Sequence, residues 1–424
     1  MSLAMMFTMM LGFALSISIA VSIGIASVAG VALSGQVPML VIPKEIFTAI
    51  DKYPLAAIPF FILAGNLMEV GGISRRLVDF AKSLVGGMQG GLAATCVLTC
   101  MIFASVSGSS VATTFAIGAI LIPAMIRHGY PTPFAASLQA VSAELGVIIP
   151  PSIPMILYGV SAEVSIGELF IAGFGPGLLI GGALIVFVLV WSRWKGYGKQ
   201  DAEGRVAFVP ALRNAALALL MPVIILGGIY GGVFTPPEAS VVAVFYALAV
   251  GTLVYREIRV EDLAPIFKKS VISSAVIMFI IANAGLFSFL ITRAGVPEQI
   301  GEFLRDSLSD PVHFLLGVNA ALFVIGMFIE TSASIIVLAP ILVPVAISFG
   351  VDPVHFGAIM IVNLAMGMIT PPFGVNLFAA CSVAKIPIDR MIGSLIPFVL
   401  VIVACLMTIT YVPQLSLFLR DLAF

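Results

Sequence analysis

The sequence predicts an all-α polytopic membrane protein, built as an inverted repeat and carrying two re-entrant helical hairpins. The first ground is composition: of 424 residues, 61% are hydrophobic and only 10% charged, with a mean hydropathy of +1.18. A soluble domain carries about 25% charged residues, so this chain has too little polar side chain to cover a water-facing surface. The second is a pair of apolar stretches, 91–126 and 312–349, each interrupted near its middle by a small polar cluster. The third is a repeat that aligns without gaps.

The first charged residue is Lys44, so the run 5–33 lacks the basic flank of a secretory leader and reads as a retained span. A span needs about 20 apolar residues. Full spans are expected at 5–33, 54–70, 133–158, 166–191, 211–232, 236–255, 269–292, 353–384 and 391–418. The stretches 91–126 and 312–349 are too short for two crossings and too long for one, hence hairpins that enter and leave on the same face.

Orientation follows from Lys and Arg. The connection 192–213 carries Arg193, Lys195, Lys199, Arg205 and Arg213, and 255–270 carries Arg256, Arg259, Lys268 and Lys269. Two spans separate them, which puts both in the cytoplasm. Counting outward leaves most of the 20 Lys and Arg there and predicts a cytoplasmic N-terminus and a periplasmic C-terminus. Trp191 and Trp194 flank Arg193 as interfacial aromatics do.

Residues 129–151, GYPTPFAASLQAVSAELGVIIPP, align on 350–372, GVDPVHFGAIMIVNLAMGMITPP. Gly146 meets Gly367, and Pro150-Pro151 meets Pro371-Pro372. Upstream, two amphipathic arms correspond, 72–86 and 295–308. The first has Arg75, Arg76 and Lys82 against Asp79; the second has Arg305 against Glu298, Glu302 and Asp306. Opposite charge bias on like segments places them on opposite sides of the membrane, so the repeat is inverted, an arrangement typical of secondary transporters.

Hairpin one breaks at Ser105-Val106-Ser107-Gly108-Ser109-Ser110, with Thr113 and Thr114 following; hairpin two breaks at Glu330-Thr331-Ser332-Ala333-Ser334. Proline lacks an N–H and clashes with the preceding turn, so carbonyls before each double proline lose helical partners. Free carbonyls and hydroxyls in a dry site suit Na+, and the scarcity of carboxylates argues against Ca2+ or Mg2+. One sodium site is expected at Ser105, Ser107, Ser109, Gly146 and Ile149, and a second at Gly326, Glu330, Thr331, Gly367 and Thr370. Helix N-termini carry positive dipole ends suited to a carboxylate, which nominates Ser107, Ser110, Thr113, Ser152, Ser332, Ser334 and Asn376 for substrate. The plain alternative is that small residues permit close helix packing; two matched clusters beside two matched breaks favour sites.

Glu144, Glu238 and Glu330 are the acids expected at membrane depth, with Glu238 also readable as a first-turn helix acid satisfying amides. Cys96, Cys100, Cys381 and Cys405 lie in apolar runs and read as small core residues; no other metal is expected. Charge is balanced, 20 basic against 21 acidic, so nucleic acid is not a partner.

Four segments, 149–160 (IPPSIPMILYGV), 165–179 (SIGELFIAGFGPGLL), 227–240 (GGIYGGVFTPPEAS) and 328–376, resemble the large membrane subunit, DctM type, of tripartite ATP-independent periplasmic (TRAP) transporters. The resemblance covers essentially the whole chain, and TPPEA departs slightly from the usual TPTEA. It implies the ion-transporter superfamily fold, an Na+-driven elevator with no organic cofactor, in the bacterial inner membrane. Its implied division is scaffold and first arm at 1–90, the first half of a transport domain at 91–165, scaffold and second arm at 166–311, the second half at 312–385, and a last span at 386–424. It also implies a small four-helix membrane subunit, a periplasmic substrate-binding protein, and a small carboxylate as substrate, with sialic acid first and a C4-dicarboxylate or sugar acid as alternatives.

Two other classes are weighed. Ser105-Val106-Ser107-Gly108 weakly resembles the serine motif of rhomboid proteases, but His128, His313 and His355 all sit at span ends, so no base serves a serine nucleophile. A channel would form its filter from an oligomeric ring, whereas this chain carries its own twofold repeat.

Overall fold

The computed structural model describes residues 2–34, 37–199, 201, 206–307 and 310–424. Arg205 and residue 308 of the second arm lie outside them, and the side chains of Arg305 and Asp306 are likewise not described. The described chain is helical throughout. In order the helices are α1 (Ser2–Ala14), α2 (Ile19–Ser34), α3 (Val41–Ile50), α4 (Ala57–Val70), α5 (Ile73–Val85), α6 (Gly91–Ser107) and α7 (Ser110–Arg127). Then come α8 (Thr132–Ala143), α9 (Leu145–Ile148), α10 (Ile153–Ala162), α11 (Ile166–Lys195), α12 (Phe208–Tyr230), α13 (Pro236–Ala249) and α14 (Val260–Arg293). The last are α15 (Val296–Ser307), α16 (Pro311–Gly326), α17 (Thr331–Ser348), α18 (Pro353–Gly367), α19 (Val375–Ala384), α20 (Ile388–Tyr411) and α21 (Gln414–Ala423).

Three expected spans differ. The run 5–33 is two helices, α1 and α2, that fold back on each other. The chain turns between them at Ser16, whose φ is 58°. Helices of 13 and 16 residues reach only about 20–24 Å at 1.5 Å per residue. The run 391–418 ends as a span at Tyr411; Pro413 starts the separate helix α21. The span expected at 269 begins at Val260, because Asp262 caps Arg259 N–H at 2.8 Å and starts α14 about two and a half turns early.

Both hairpins form where expected, and the ends of each meet. Asp201 ties those of the first: its carboxylate accepts from Leu92 N at 2.9 Å and Tyr130 OH at 2.6 Å, and meets His128 Nδ1 at 2.9 Å. Leu92 opens α6 and His128 closes α7, so one buried side chain gathers both ends of the hairpin. Phe314 and Phe349 stack at 4.4 Å, joining the start of α16 to the end of α17. The arm α5 buries Ile73, Leu77 and Ala81 on one stripe and exposes Arg75 and Asp79. Arg76 pins it to the segment after α13, pairing with Glu257 at 2.6 Å and stacking 3.7 Å over Tyr255.

The post-break halves are exchanged. α10, which follows the first double proline, lies on α17 of the second hairpin; α19, which follows the second, lies on α7 of the first. α11 packs on α6, α9, α18, α20 and α21, and α20 packs on α8. By contact, 166–195 therefore packs against the first hairpin and the broken helices. α4, α13, α14 and α2 pack as a second body around them.

At the start of α18, burial pushes the Asp352 carboxyl up, but the Arg420 guanidinium at 2.7 Å and the N–H groups of His355 and Val354 outweigh it and hold it below its usual value of 3.8. A depressed carboxylate contributes stability above its unfolded value, lost as pH falls through the folded one. Arg420→Ala is therefore expected to lower the melting temperature near neutral pH, with the difference from the parent shrinking as pH falls through the folded value of Asp352, read by melting temperature against pH. Asp201→Ala strands Leu92 N–H and the Tyr130 hydroxyl at about 1–3 kcal/mol each. We expect a loss of about 3 kcal/mol in detergent unfolding, with Asp201→Asn losing less.

Candidate functional site

The tip of hairpin one is assembled around the Ser109 carbonyl. Ser109 starts α7 from extended backbone, and its hydroxyl accepts from Ala112 N at 3.4 Å. Its carbonyl oxygen accepts from Thr113 Oγ1 at 2.8 Å and Ser107 Oγ at 3.4 Å. Gly146, in α9, faces this group. A Cβ there would lie 2.9 Å from both the Ser109 carbonyl oxygen and Thr113 Oγ1, so only glycine lets the bend of the broken helix reach the tip. Gly108 approaches the second break residue in the same way, with a Cβ position 2.9 Å from the Pro151 carbonyl and a left-handed φ of 62°. Ser107, Ser109, Thr113 and Gly146 are thus brought together. Ser105 donates within α6 to the Ile102 carbonyl at 2.7 Å, and Ser152 donates to the Val147 carbonyl at 2.6 Å. Ile149 is buried with its side chain against Gly177, and the Ser110 carbonyl takes the Thr114 hydroxyl.

The second tip repeats the plan with different chemistry. Gly326 and Gly367 touch through backbone; a Cβ on Gly367 would lie 2.3 Å from the Gly326 carbonyl carbon. Thr370 Oγ1 donates to the Met366 carbonyl at 2.8 Å, while Thr331 Oγ1 meets Met368 Sδ at 2.9 Å. Glu330 caps α17, accepting from Ala333 N at 3.1 Å and Ser332 Oγ at 2.8 Å. The helix N-terminus expected to face a substrate carboxylate is therefore satisfied by the chain's own carboxylate, and Ser332 is engaged with it. Ser334 is buried with no partner for its hydroxyl among the described residues. Asn376 crosses to the other repeat, its amide donating to Glu144. Glu238 is a capping acid, accepting from Thr235 N and Oγ1 at 2.8 Å each.

The hard oxygens at the first tip fit a monovalent cation, with Ser107, Ser109 and Thr113 able to hold it. The second tip offers Thr331 and Thr370 hydroxyls beside a thioether, a poorer oxygen set. Among the described residues no cluster of His, Cys, Asp and Glu could hold a metal ion, and Cys96 donates to Gln139 at 3.1 Å as a core residue.

A cavity of about 530 Å³ opens beside the first tip. Ser107, Ser109, Ala112 and Phe115 form one wall; α4 (Gly65, Asn66, Glu69) and α14 (Lys269, Ser273) form the other. It lies between the hairpin body and the body around α4 and α14. Lys269 Nζ bonds Glu69 at 2.8 Å, and Asn66 Nδ2 donates to Ser270 at 2.8 Å. Of the residues nominated for substrate only Ser107 lines it. Lys269 and Asn66 were missed: Lys269 reads as one more cytoplasmic cation, and the one signal for Asn66 is an amide in an apolar run.

An inverted repeat of re-entrant hairpins and broken helices, with a cavity between two helical bodies, is the kind of fold secondary transporters use. Two solved structures share it: the YdaH transporter of Alcanivorax borkumensis (TM-score 0.63, 16% identity, 87% of this chain and 86% of that one) and MtrF of Neisseria gonorrhoeae (0.61, 16%, 89% and 85%). Residues 4–415 match the DctM component of tripartite ATP-independent periplasmic transporters, and the chain belongs to that family. It is 42% identical to the C4-dicarboxylate TRAP transporter large permease protein of Pseudomonas aeruginosa, covering 92% of this chain and 93% of that one. It is 37% identical to the sialic acid large permease protein of Vibrio cholerae, with 89% of each covered. It is also 42% identical to the isethionate permease protein DctMQ of Oleidesulfovibrio alaskensis, covering 92% of this chain but only 62% of that longer protein. The chain is thus a multi-pass transporter permease and not an enzyme.

Gly367→Ala is expected to force α18 off the hairpin-two tip and cost about 1–3 kcal/mol, the range for overpacking, measured by thermal unfolding in detergent. Gly393→Ala, where a Cβ meets nothing within 4 Å, is the control and should melt as the parent does.

Proposed function

We propose that this chain is the membrane-transport subunit of a sodium-coupled uptake system for a small carboxylate, moving its hairpin body against the α4–α14 body as an elevator. The observation that carries the reading is the oxygen cluster of Ser107, Ser109 and Thr113, closed by Gly146, on the wall of the cavity between the two bodies. A bound cation would supply positive charge beside that cavity; Lys269 and the Asn66 amide supply fixed polar groups facing it. In this reading α6–α11 and α16–α20 form the moving body, and α5 and α15 are the arms through which it is linked to the rest.

Relatives named for C4-dicarboxylates, isethionate and sialic acid all handle small anions. Sialic acid is the substrate expected from the Ser-rich tip. The higher identity to the C4-dicarboxylate and isethionate permeases gives those anions equal standing in the assay. Two partners complete the system, a small four-helix membrane subunit and a periplasmic binding protein, and the setting is the bacterial inner membrane. The basic connections 192–213 and 255–270 are assigned to the cytoplasm and the C-terminus to the periplasm. The cytoplasmic N-terminus rested on a single crossing by 5–33. With α1 and α2 folded back on each other, the same counting returns the N-terminus to the periplasmic side.

The test is uptake of labelled sialic acid, a C4-dicarboxylate or isethionate into proteoliposomes holding this chain and its small subunit, with binding protein outside. Uptake should require an inward Na+ gradient. Gly146→Ala should raise the half-saturating Na+ concentration at least about tenfold, equivalent to about 1.4 kcal/mol, with a smaller change in Ser107→Ala. Uptake indifferent to Na+ would overturn the coupling, and uptake of none of these anions would overturn the substrate class.

A further inference from the structure

We infer that the pocket bounded by α3, α10, α14 and α17 is a second anion-binding vestibule, on the periplasmic side, and that Lys52 is the cation in it that receives a small carboxylate. The inference rests on the carboxylate-uptake reading above. The pocket holds about 190 Å³. Glu45, Thr48 and Lys52 line it from α3 and the residues just beyond; Ser288 lines it from α14 and Ser161 from α10. α14 leaves the basic connection 255–270, assigned to the cytoplasm. Lys269 and Ser273, on the cavity at the first tip, therefore lie in its cytoplasmic half, and Ile281 to Ser288, on the pocket, in its periplasmic half.

The internal repeat relates the two spaces. The register that sets Gly72 on Gly295 runs back without a gap through α4 and the end of α14, where Leu63 meets Leu286 and Leu67 meets Leu290. In it Ile62 falls on Gly285 and Gly65 on Ser288. In the register that sets Gly146 on Gly367, Phe115 falls on Ile336. The first member of each pair lines the cavity and the second lines the pocket. The two also match in charge. Each is lined by one lysine and one glutamate, Lys269 with Glu69 and Lys52 with Glu45. All four come from the body around α4 and α14 or from α3 and its end, which pack on α14. One repeat has thus built the same charged recess twice, once on each side of the membrane.

They differ in what reaches them. The cavity touches hairpin one at its tip, at Ser107 and Ser109, whereas the pocket touches hairpin two at Ile336 and Pro340. Those residues stand about 8 and 14 Å along α17 from its start at Thr331, at 1.5 Å per residue. The second tip is therefore withdrawn from its recess, and a slide of the hairpin body toward the periplasm brings it level. Lys52 is arranged to respond. Its Nζ donates at 3.5 Å to the Val160 carbonyl in the last turn of α10, on the body that moves. Among the described residues it makes no ion pair; Glu45 meets Lys44 at 3.9 Å instead, while Lys269 is held by Glu69 at 2.8 Å. The slide breaks the Val160 contact and leaves an ammonium with three donors facing the recess, where a carboxylate bonds it more strongly than a neutral carbonyl does.

The experiment is thiol labelling of Ser288→Cys in the full chain with its small subunit, in vesicles of known orientation, using membrane-impermeant anionic and cationic methanethiosulfonates. Ser161→Cys, also lining the pocket, serves if Ser288→Cys fails to fold. The native cysteines are buried, and the parent chain gives the background. Labelling is expected from the periplasmic face. The anionic probe should react about fivefold more slowly in Lys52→Gln, the effect of one unit charge at about 4 Å in water, and faster in Glu45→Gln. Labelling from the cytoplasmic face alone, labelling from neither face, or an anionic rate unmoved by Lys52→Gln would each overturn the inference. A C4-dicarboxylate, sialic acid or isethionate that the same vesicles take up should slow the labelling. Uptake without slowing would overturn the vestibule and leave the uptake reading standing; uptake of none of the three would overturn both.

Discussion

A backbone inside a bilayer has no water to satisfy its N–H and C=O groups, so it can leave the helix only where protein surrounds it. Much of this molecule follows from that constraint. The helix interruptions at 108–109, 149–152, 327–330 and 368–374 face other parts of the chain. Glycines at 108, 146, 326 and 367 let one broken backbone come close enough to another for this to happen. Elsewhere the local chemistry of the termini serves the same end: Ser109, Glu330, Asp310 and Asp352 each cap the helix they precede.

How much of this was legible in the sequence depends on range. The hairpins, the arms and the double-proline breaks were legible because each is a local pattern: an apolar run of a given length, an amphipathic stripe, a proline pair. The repeat was legible because Gly146 and Gly367, or Pro150 and Pro371, recur in register. The N-terminal hairpin was not, because Ser16 and Ser18 are the only marks of the turn and serine is tolerated within membrane helices. The end of the last span was marked by Pro413, which a window average over 391–418 conceals. Partnerships across long separations were also invisible. Asn376 reaching Glu144, Asp201 gathering Leu92 and Tyr130, and Glu69 meeting Lys269 each join residues whose neighbourhood the fold alone creates.

The candidate site shows the same boundary at finer grain. Spacing put Ser107, Ser109 and Gly146 into one cation group and Thr113 among the substrate residues, and the structure gathers all four at the first tip because the elements that carry them are adjacent in chain. Spacing assigned Ser332 and Glu330 to ligands because it counted hydroxyls and a carboxylate without knowing that they bond each other. The two tips share a backbone plan and differ in side chains, with serine and threonine oxygens at one and a methionine sulfur beside Thr331 at the other. Pseudo-symmetric architecture therefore does not make the two halves chemically equivalent.

The exchange of α10 and α19 between the hairpins has a consequence for how such a chain can be divided. Each half, cut between its repeats, would lose the segment that covers its own hairpin and would expose the surface on which the other half's segment lies. The relationship is that of two domain-swapped protomers fused head to tail. Fragments expressed separately would find a stable partner only in each other, so the minimal autonomous unit is the whole interlocked pair.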